Sequence, residues 1–364
     1  MNLNELGWNP FFEALFSEYN DQDYIPARVF REHKSMYEVF TENGEMSASL
    51  AGKLRHQATS KSEFPVVGDW VVLKVENNDQ MGIISAVLPR KTTVVRKAST
   101  DRKREGGGAL KEQVIAANID TIFIVSGLDQ DYNIRRIERY LTLVYDSGAT
   151  PVIILNKADL YPDVETRIAE VEEIAFGVPI HAFCALQPEE LAPLNQYFST
   201  GKTVALLGSS GVGKSTIINS LLGYERQTVE SISQSVGKGK HTTTHRELIF
   251  LPGGGIIMDN PGMREIQLIT EMKVSDDVFQ EIEALANNCR FKDCQHVTEP
   301  GCAVLAAIEN GSLDENRYKS FLKMHRELKF LDERRYKSAN VMEKEKWQSL
   351  MKDKFKRKHR RKNE

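Results

Sequence analysis

Nine residues, GSSGVGKST at 208–216, carry the spacing G-x-x-x-x-G-K-[ST]. Such a run folds into a loop whose main-chain N–H groups point inward around a β-phosphate. Lys214 would reach the β- and γ-phosphates, and the hydroxyl of Ser215 would ligate Mg²⁺. Gly208, Ser209, Ser210, Gly211, Val212, Gly213 and Thr216 complete the cradle. A phosphate loop does not choose its base, but NKAD at 156–159 does: Asp159 can accept hydrogen bonds from the N1–H and 2-amino group of guanine, where adenine would leave it unpaired. Lys157 can lie along the base face and Asn156 can brace the loop. Cys184-Ala185 follows an apolar run, where a small pair can back the base by main-chain contacts, although Cys184 serves equally as a small buried hydrophobe. DNPG, Asp259 to Gly262, fits D-x-x-G, in which the aspartate reaches Mg²⁺ through water and the glycine amide faces the γ-phosphate. Between these, GKGKHTTTHRE offers Thr242, Thr243 and Thr244 as the threonine that closes on Mg²⁺; the run singles out none, and Thr243 stands for it here. A second chemistry lies in Cys289-x4-Cys294-x-His296-x5-Cys302: thiolates and imidazole suit Zn²⁺, and four ligands make a closed, structural shell.

These residues need strands to hold them at one edge. The apolar runs DTIFIVS, PVIILN, PIHAF, TVALLG, ELIFL and GIIMD alternate with helical stretches such as IRRIERYLTLVYD and DVETRIAEVEEIAF, which predicts a mostly parallel sheet covered on both faces. NKAD, Cys184-Ala185, the phosphate loop and DNPG each follow one of the runs, at the edge where open sheets bind ligands. Ahead of them, ARVF, YEVF, SASLAGKL, DWVVLKV, MGIISAVL and TTVVRK read as five or six short strands of a small closed barrel such as an OB-fold, a pattern that other small β domains share. Residues 1–24 form a lead whose Trp8, Phe11, Phe12, Leu15 and Phe16 suit a helix packed on its own protein. We place the barrel at 25–100, a basic glycine-rich linker at 101–112, the α/β domain at 113–274 and a helical, metal-binding domain at 275–364.

Bulk composition fits several domains: 364 residues with 41% hydrophobic content can bury more than one core. The net charge of -3 hides a basic end, KDKFKRKHRRK at 352–362, suited to phosphate or an acidic surface. The start lacks a basic leader and a long apolar run, so we expect a cytoplasmic chain with no membrane partner. Four cysteines, three of them crowded into 289–302, favour metal over disulfide in a reducing compartment. Barrel, metal module and basic tail on one chain favour an RNA partner.

The order of the motifs is reversed. An ordinary P-loop GTPase meets the phosphate loop first and the base-reading motif later; here NKAD and Cys-Ala precede the P-loop, HTTT and DNPG. That order resembles the circularly permuted GTPases, and the flanks resemble one branch of them, the ribosome small-subunit-dependent GTPase A family, over nearly the whole chain. The resemblance implies an N-terminal OB-fold, a permuted GTPase domain and a C-terminal zinc domain with the same Cys-Cys-His-Cys order. It also implies a GTP hydrolase acting late in small-subunit maturation, with GTP or GDP, Mg²⁺, the small ribosomal subunit and its rRNA as partners, other assembly factors among its contacts, and a monomeric state. Where Ras-like enzymes place a water-orienting glutamine after D-x-x-G, this chain has Met263, so hydrolysis unaided should be slow. The family's hydrolytic histidine falls on His241, with His245 a nearby competitor. The alternative reading is an RNA-binding assembly chaperone whose nucleotide site mainly sets conformation.

Overall fold

A computed structural model describes residues 2–19, 23–33, 36–58, 60–75, 81–98, 111–224, 246–259, 279–291, 294, 296 and 299–322. The chain divides into two compact units, residues 1–95 with 114–266 and residues 96–113 with 267–364.

In the first unit a short helix α1 (Pro10–Phe16) opens the chain, capped by the Asn9 side chain on the Phe11 N–H with proline in the first turn. It buries Phe12 and Phe16, and the Trp8 ring meets Trp70 edge-on at 4.7 Å, so the aromatic lead packs on its own protein while Phe11 stays exposed. Five strands follow: β1 (Tyr24–Glu32), β2 (Tyr37–Thr41), β3 (Gly44–Leu50), β4 (Trp70–Lys74) and β5 (Met81–Val87). They pair in the order β1-β2-β3-β5-β4, and β4 pairs back to β1, which closes a barrel with β3 and β5 parallel. Ala27, Val29, Val39, Ala48, Val71 and Ile84 fill its interior. This is the expected OB-type barrel, with two local differences. The run SASLAGKL is not all strand, because α2 (Gly52–Gln57) begins at its glycine. TTVVRK lies outside the barrel: β6 (Thr93–Ala98) pairs with β7 (Lys111–Ala117) in a separate two-stranded sheet.

The α/β part contains β8 (Thr121–Gly127), α3 (Ile134–Ser147), β9 (Thr150–Asn156), α4 (Val164–Glu172), β10 (Ile180–Phe183), β11 (Thr203–Leu207), α5 (Lys214–Leu222), β12 (Glu247–Phe250) and β13 (Ile256–Asp259). Spatial order is β10-β9-β8-β11-β13-β12, parallel throughout except for β12. Phe123, Val125, Val152 and Ile154 share one core with Leu194 and Ile217, while Ile122, Ile124, Ile153 and Leu155 between them are also buried. Alternate residues of a strand point to opposite faces, so both faces of this sheet are covered, as its unbroken apolar runs require. Beyond β12 the sheet continues into the barrel, where Arg31 of β1 faces Glu247 of β12 and donates to its carboxylate at 2.7 Å.

In the second unit the described helices are α6 (Gln280–Ala286) and α7 (Ala303–Glu309), followed by helix over 315–322. No helix among the described residues is long and apolar enough to cross a membrane.

Candidate nucleotide site and metal cluster

Because β8, β9, β10, β11 and β13 are parallel, Gly127, Asn156, Phe183, Leu207 and Asp259 all end at one edge of the sheet. The chain runs from β8 outward to β9 and β10, then returns to the other side of β8 for β11 and β13. The reversal point, between β8 and β11, is where such sheets bind ligands.

Asn156 is the joint of this edge. Its side chain is 2% exposed; Nδ2 donates to the Val212 carbonyl at 2.8 Å, and Oδ1 accepts from the Ala185 N–H at 2.9 Å. One amide thus ties the end of β9 to the phosphate loop and to the Cys184-Ala185 turn. The next residue, Lys157, sits in the left-handed region at φ 64°, and its ammonium pairs with Asp129 at 2.6 Å. Burial pushes the Asp129 carboxyl up, but the hydrogen bonds from Lys157 and from the Asp131 N–H outweigh it and hold the group below its ordinary range. Asp159 is exposed. Cys184 is buried; burial raises its thiol pKa, and the neighbouring Asp159 carboxylate adds to the rise. The Cys184 N–H donates to Glu190 at 2.7 Å, and Ser220 of α5 donates to the Ala185 carbonyl at 2.8 Å.

The run 208–213 turns β11 into α5. A Cβ on Gly208 would lie 2.4 Å from the Val125 carbonyl oxygen, and one on Gly213, at φ 99°, would lie 2.1 Å from Asn156 Nδ2, so both positions exclude side chains. Lys214 donates from Nζ to the carbonyls of Gly208 (2.7 Å) and Ser209 (2.5 Å), curling back over the loop. Ser215 and Thr216 stand in the first turn of α5, half-buried, where free N–H groups and the helix dipole favour an anion. Asp259 ends β13 at the same edge. His241, Thr243 and Gly262, like Thr242, Thr244, His245 and Met263, lie outside the described residues.

Three residues of this edge carry no sequence motif: Asp129, Asp131 and Glu190. Asp131 accepts a hydrogen bond from the hydroxyl of Ser209, the second residue of the phosphate loop. Their only signal in the sequence is position, after the runs DTIFIVS and PIHAF.

In the second unit, the side-chain donor atoms of Cys289, Cys294, His296 and Cys302 all lie within 4.8 Å of one another. Cys289 Sγ is 3.8 Å from Cys302 Sγ and 3.5 Å from His296 Nδ1, and His296 Nδ1 is 3.3 Å from Cys302 Sγ. Tetrahedral bonds of about 2.3 Å to sulfur put two thiolates about 3.8 Å apart, so the cluster has the dimensions to hold a metal ion. Cys302 also caps α7, accepting from the Leu305 N–H at 3.4 Å, and Tyr318 donates to the His296 carbonyl at 2.8 Å. The first contact fixes a thiolate on a helix start and the second fixes the left-handed turn, φ 56°, at His296.

Connectivity decides the class. Read from β11 through β13 and then from β8 to β10, the edge presents phosphate loop, D-x-x-G aspartate, NKAD and Cys-Ala in the order of an ordinary GTPase; the chain is opened at a different point. The fold and the order of the motifs along this edge are those of a circularly permuted P-loop GTPase. The sequence profile of the RsgA GTPase family matches residues 87–269. The chain is 42% identical over 360 residues to the small ribosomal subunit biogenesis GTPase RsgA of Opitutus terrae, covering 96% of each, and 44% identical over 352 residues to that of Syntrophotalea carbinolica, again covering 96% of each. It belongs to the RsgA GTPase family. Among solved structures, YjeQ from Thermotoga maritima superposes with a TM-score of 0.59 at 28% identity, over 84% of this chain and 98% of that one. YloQ, described as a circularly permuted GTPase, matches in fold with a TM-score of 0.59 at 23% identity, over 85% of this chain and 97% of that one.

Proposed function

We propose that this protein binds the immature small ribosomal subunit with GTP in place, hydrolyses GTP there, and leaves, timing a late step of maturation. The observation that carries the reading is the Asn156 joint, which makes base-reading loop, Cys-Ala turn and phosphate loop one site. Asp159 reads the guanine edge, Lys157 lies along the base, and the main chain of Cys184 and Ala185 backs it. The N–H groups of residues 208–216 hold the β-phosphate. Lys214 exchanges the Gly208 and Ser209 carbonyls for the β- and γ-phosphates, a swap that its flexible stem permits. Ser215, and Asp259 through water, would hold Mg²⁺, which neutralises charge on the phosphates.

Hydrolysis is assigned to the segments that carry Thr243, Gly262 and His241. Met263 cannot orient water, so His241 positions the attacking water when the protein is bound to the subunit, with Thr243 on Mg²⁺ and the Gly262 amide toward the γ-phosphate. The Cys289, Cys294, His296 and Cys302 cluster holds one zinc ion in a structural role, and elemental analysis should find about one zinc per chain that Cys294→Ser loses. The barrel and the basic end at 352–362 contact rRNA.

The base assignment is tested by Asp159→Asn. The reversed hydrogen-bond pattern should weaken GDP and GTP by about 10- to 100-fold and favour xanthosine nucleotides, because each unmatched polar group costs about 1–3 kcal/mol. Unchanged affinity for guanine nucleotides would remove NKAD from the site.

A further inference from the structure

A strand that carries no motif lies between two that do. β8 is flanked by β9, which ends in NKAD, and by β11, which leads into the phosphate loop. The segment leaving β8 therefore stands between the base half and the phosphate half of the edge, and it carries two carboxylates, one turned to each. Asp129 Oδ2 takes the Lys157 ammonium at 2.6 Å. Asp131 Oδ2 takes the Ser209 hydroxyl.

We infer that Asp129 and Asp131 are positioning residues for the guanine nucleotide, Asp129 fixing Lys157 for the base and Asp131 fixing the phosphate loop through Ser209, so that one short segment sets the spacing of both halves. The inference rests on the guanine-nucleotide reading above. Three observations support it. The two arms are joined, since the Asp131 N–H donates to Asp129 Oδ1 at 3.0 Å. They are anchored, since Asp131 Oδ1 also accepts from Arg136 at 3.0 Å on α3, whose first turn is capped by Asn133 on the Arg136 N–H at 3.1 Å. And they hold residues that are otherwise hard to hold. Lysine on a four-carbon stem loses rotamer freedom when fixed, so a counter-charge that fixes it beforehand favours binding. Ser209 is one of the two residues whose carbonyls take Lys214, so its hydroxyl contact helps set where that lysine starts.

A third tie runs alongside. Arg167 of α4 lies between the rings of Tyr132 and Tyr161, 4.6 and 4.7 Å from their centroids, and the Tyr132 hydroxyl donates to Glu170 at 3.2 Å. Tyr132 follows Asp131 and Tyr161 follows NKAD by two residues, so α4 clamps the backs of the same two loops.

The test uses the intact chain, GDP titrations, GTP turnover and two double-mutant cycles. Asp129→Ala should weaken GDP about tenfold and raise KM for GTP equally with kcat unchanged, since the base is remote from the reacting phosphate. In a Lys157→Ala background the same change should do nothing further. Asp131→Ala should weaken GDP about tenfold, with no further loss in a Ser209→Ala background. Asp131→Asn, which keeps an acceptor for the hydroxyl, should recover most of the affinity; Asp129→Asn, which loses the counter-charge, should not. Should an alanine variant fail to fold, this asparagine asymmetry carries the same test. Additive losses in either cycle, matched behaviour of the two asparagine variants, or unchanged GDP affinity in either alanine variant overturns the inference. Failure of the site reading looks different: the wild type would not bind GDP, or Asp159→Asn would keep its affinity.

Discussion

The two ends of one parallel sheet are built on opposite principles. At the edge where β9 and β11 end, charges are paired but partly solvated: Lys157 and Asp129 are 19% and 23% exposed, and Asp159 faces solvent. At the other end, Arg28 of β1 is sealed in. It donates to the carbonyls of Leu6, of Gly68 at 3.4 Å and of Asn118 at 3.1 Å, and to the hydroxyl of Thr203, the first residue of β11, at 2.9 Å. Burial lowers its pKa to about 10, with Asp120 and Asp69 opposing the shift, so it remains charged at neutral pH. The contrast separates a site from a bolt. Partly solvated groups can exchange one partner for a ligand at little cost, whereas a buried guanidinium held by three main-chain carbonyls and a hydroxyl has nowhere else to go. Arg28 joins the aromatic lead, the barrel and the first residue of the phosphate-loop strand into one body.

The comparison predicts where mutations act. Arg28→Ala should have the largest effect, a loss of about 3–5 kcal/mol of unfolding free energy in chemical denaturation, because buried acceptors lose their donor. GDP affinity of the folded fraction should stay within a few-fold of wild type; a large affinity loss at full stability would erase the distinction. Asn156→Ala should fall between the classes, costing about 1–3 kcal/mol of stability and at least tenfold in GDP affinity, since it is buried like Arg28 yet belongs to the site. A loss in only one of the two measurements would show that the joint is not a joint. The smallest effect should be a pH dependence at Asp129. Its folded pKa is depressed, so its contribution is fully present above the ordinary carboxylate range near pH 4 and is lost as pH falls through the lower folded value. The stability difference between wild type and Asp129→Asn should therefore shrink on acidification below about pH 4, and a difference that grows there would reverse the assignment.

Much of the nucleotide edge was legible because its chemistry is local. The phosphate loop needs glycines within one turn, NKAD is four consecutive residues, and unbroken apolar runs announce strands buried on both faces. The barrel was legible as short strands, but not its closure: TTVVRK has the same β-branched character as the barrel strands, and only its pairing with residues 111–117 sets it apart. SASLAGKL reads as one run although Gly52 starts a helix, because a short apolar stretch has no decisive period. Arg28, Asp129 and Asp131 were invisible for a different reason. Nothing in ARVF marks its arginine as buried, and the partners of Arg28 lie 22 to 175 positions away. The Ser209 partner of Asp131 is 78 positions along. Such residues take their roles from topology, which places β8 between β9 and β11 regardless of the motifs.

The most direct test of the account is single-turnover hydrolysis of GTP by the intact protein, alone and with isolated small ribosomal subunits. Alone, the rate should be slow, on the order of 10⁻⁴ to 10⁻² s⁻¹, because Met263 stands where a water-orienting glutamine would be. Small subunits should raise it by orders of magnitude, and His241→Ala should remove most of that rise while leaving GDP affinity nearly unchanged. Equal rates with and without subunits would contradict the account.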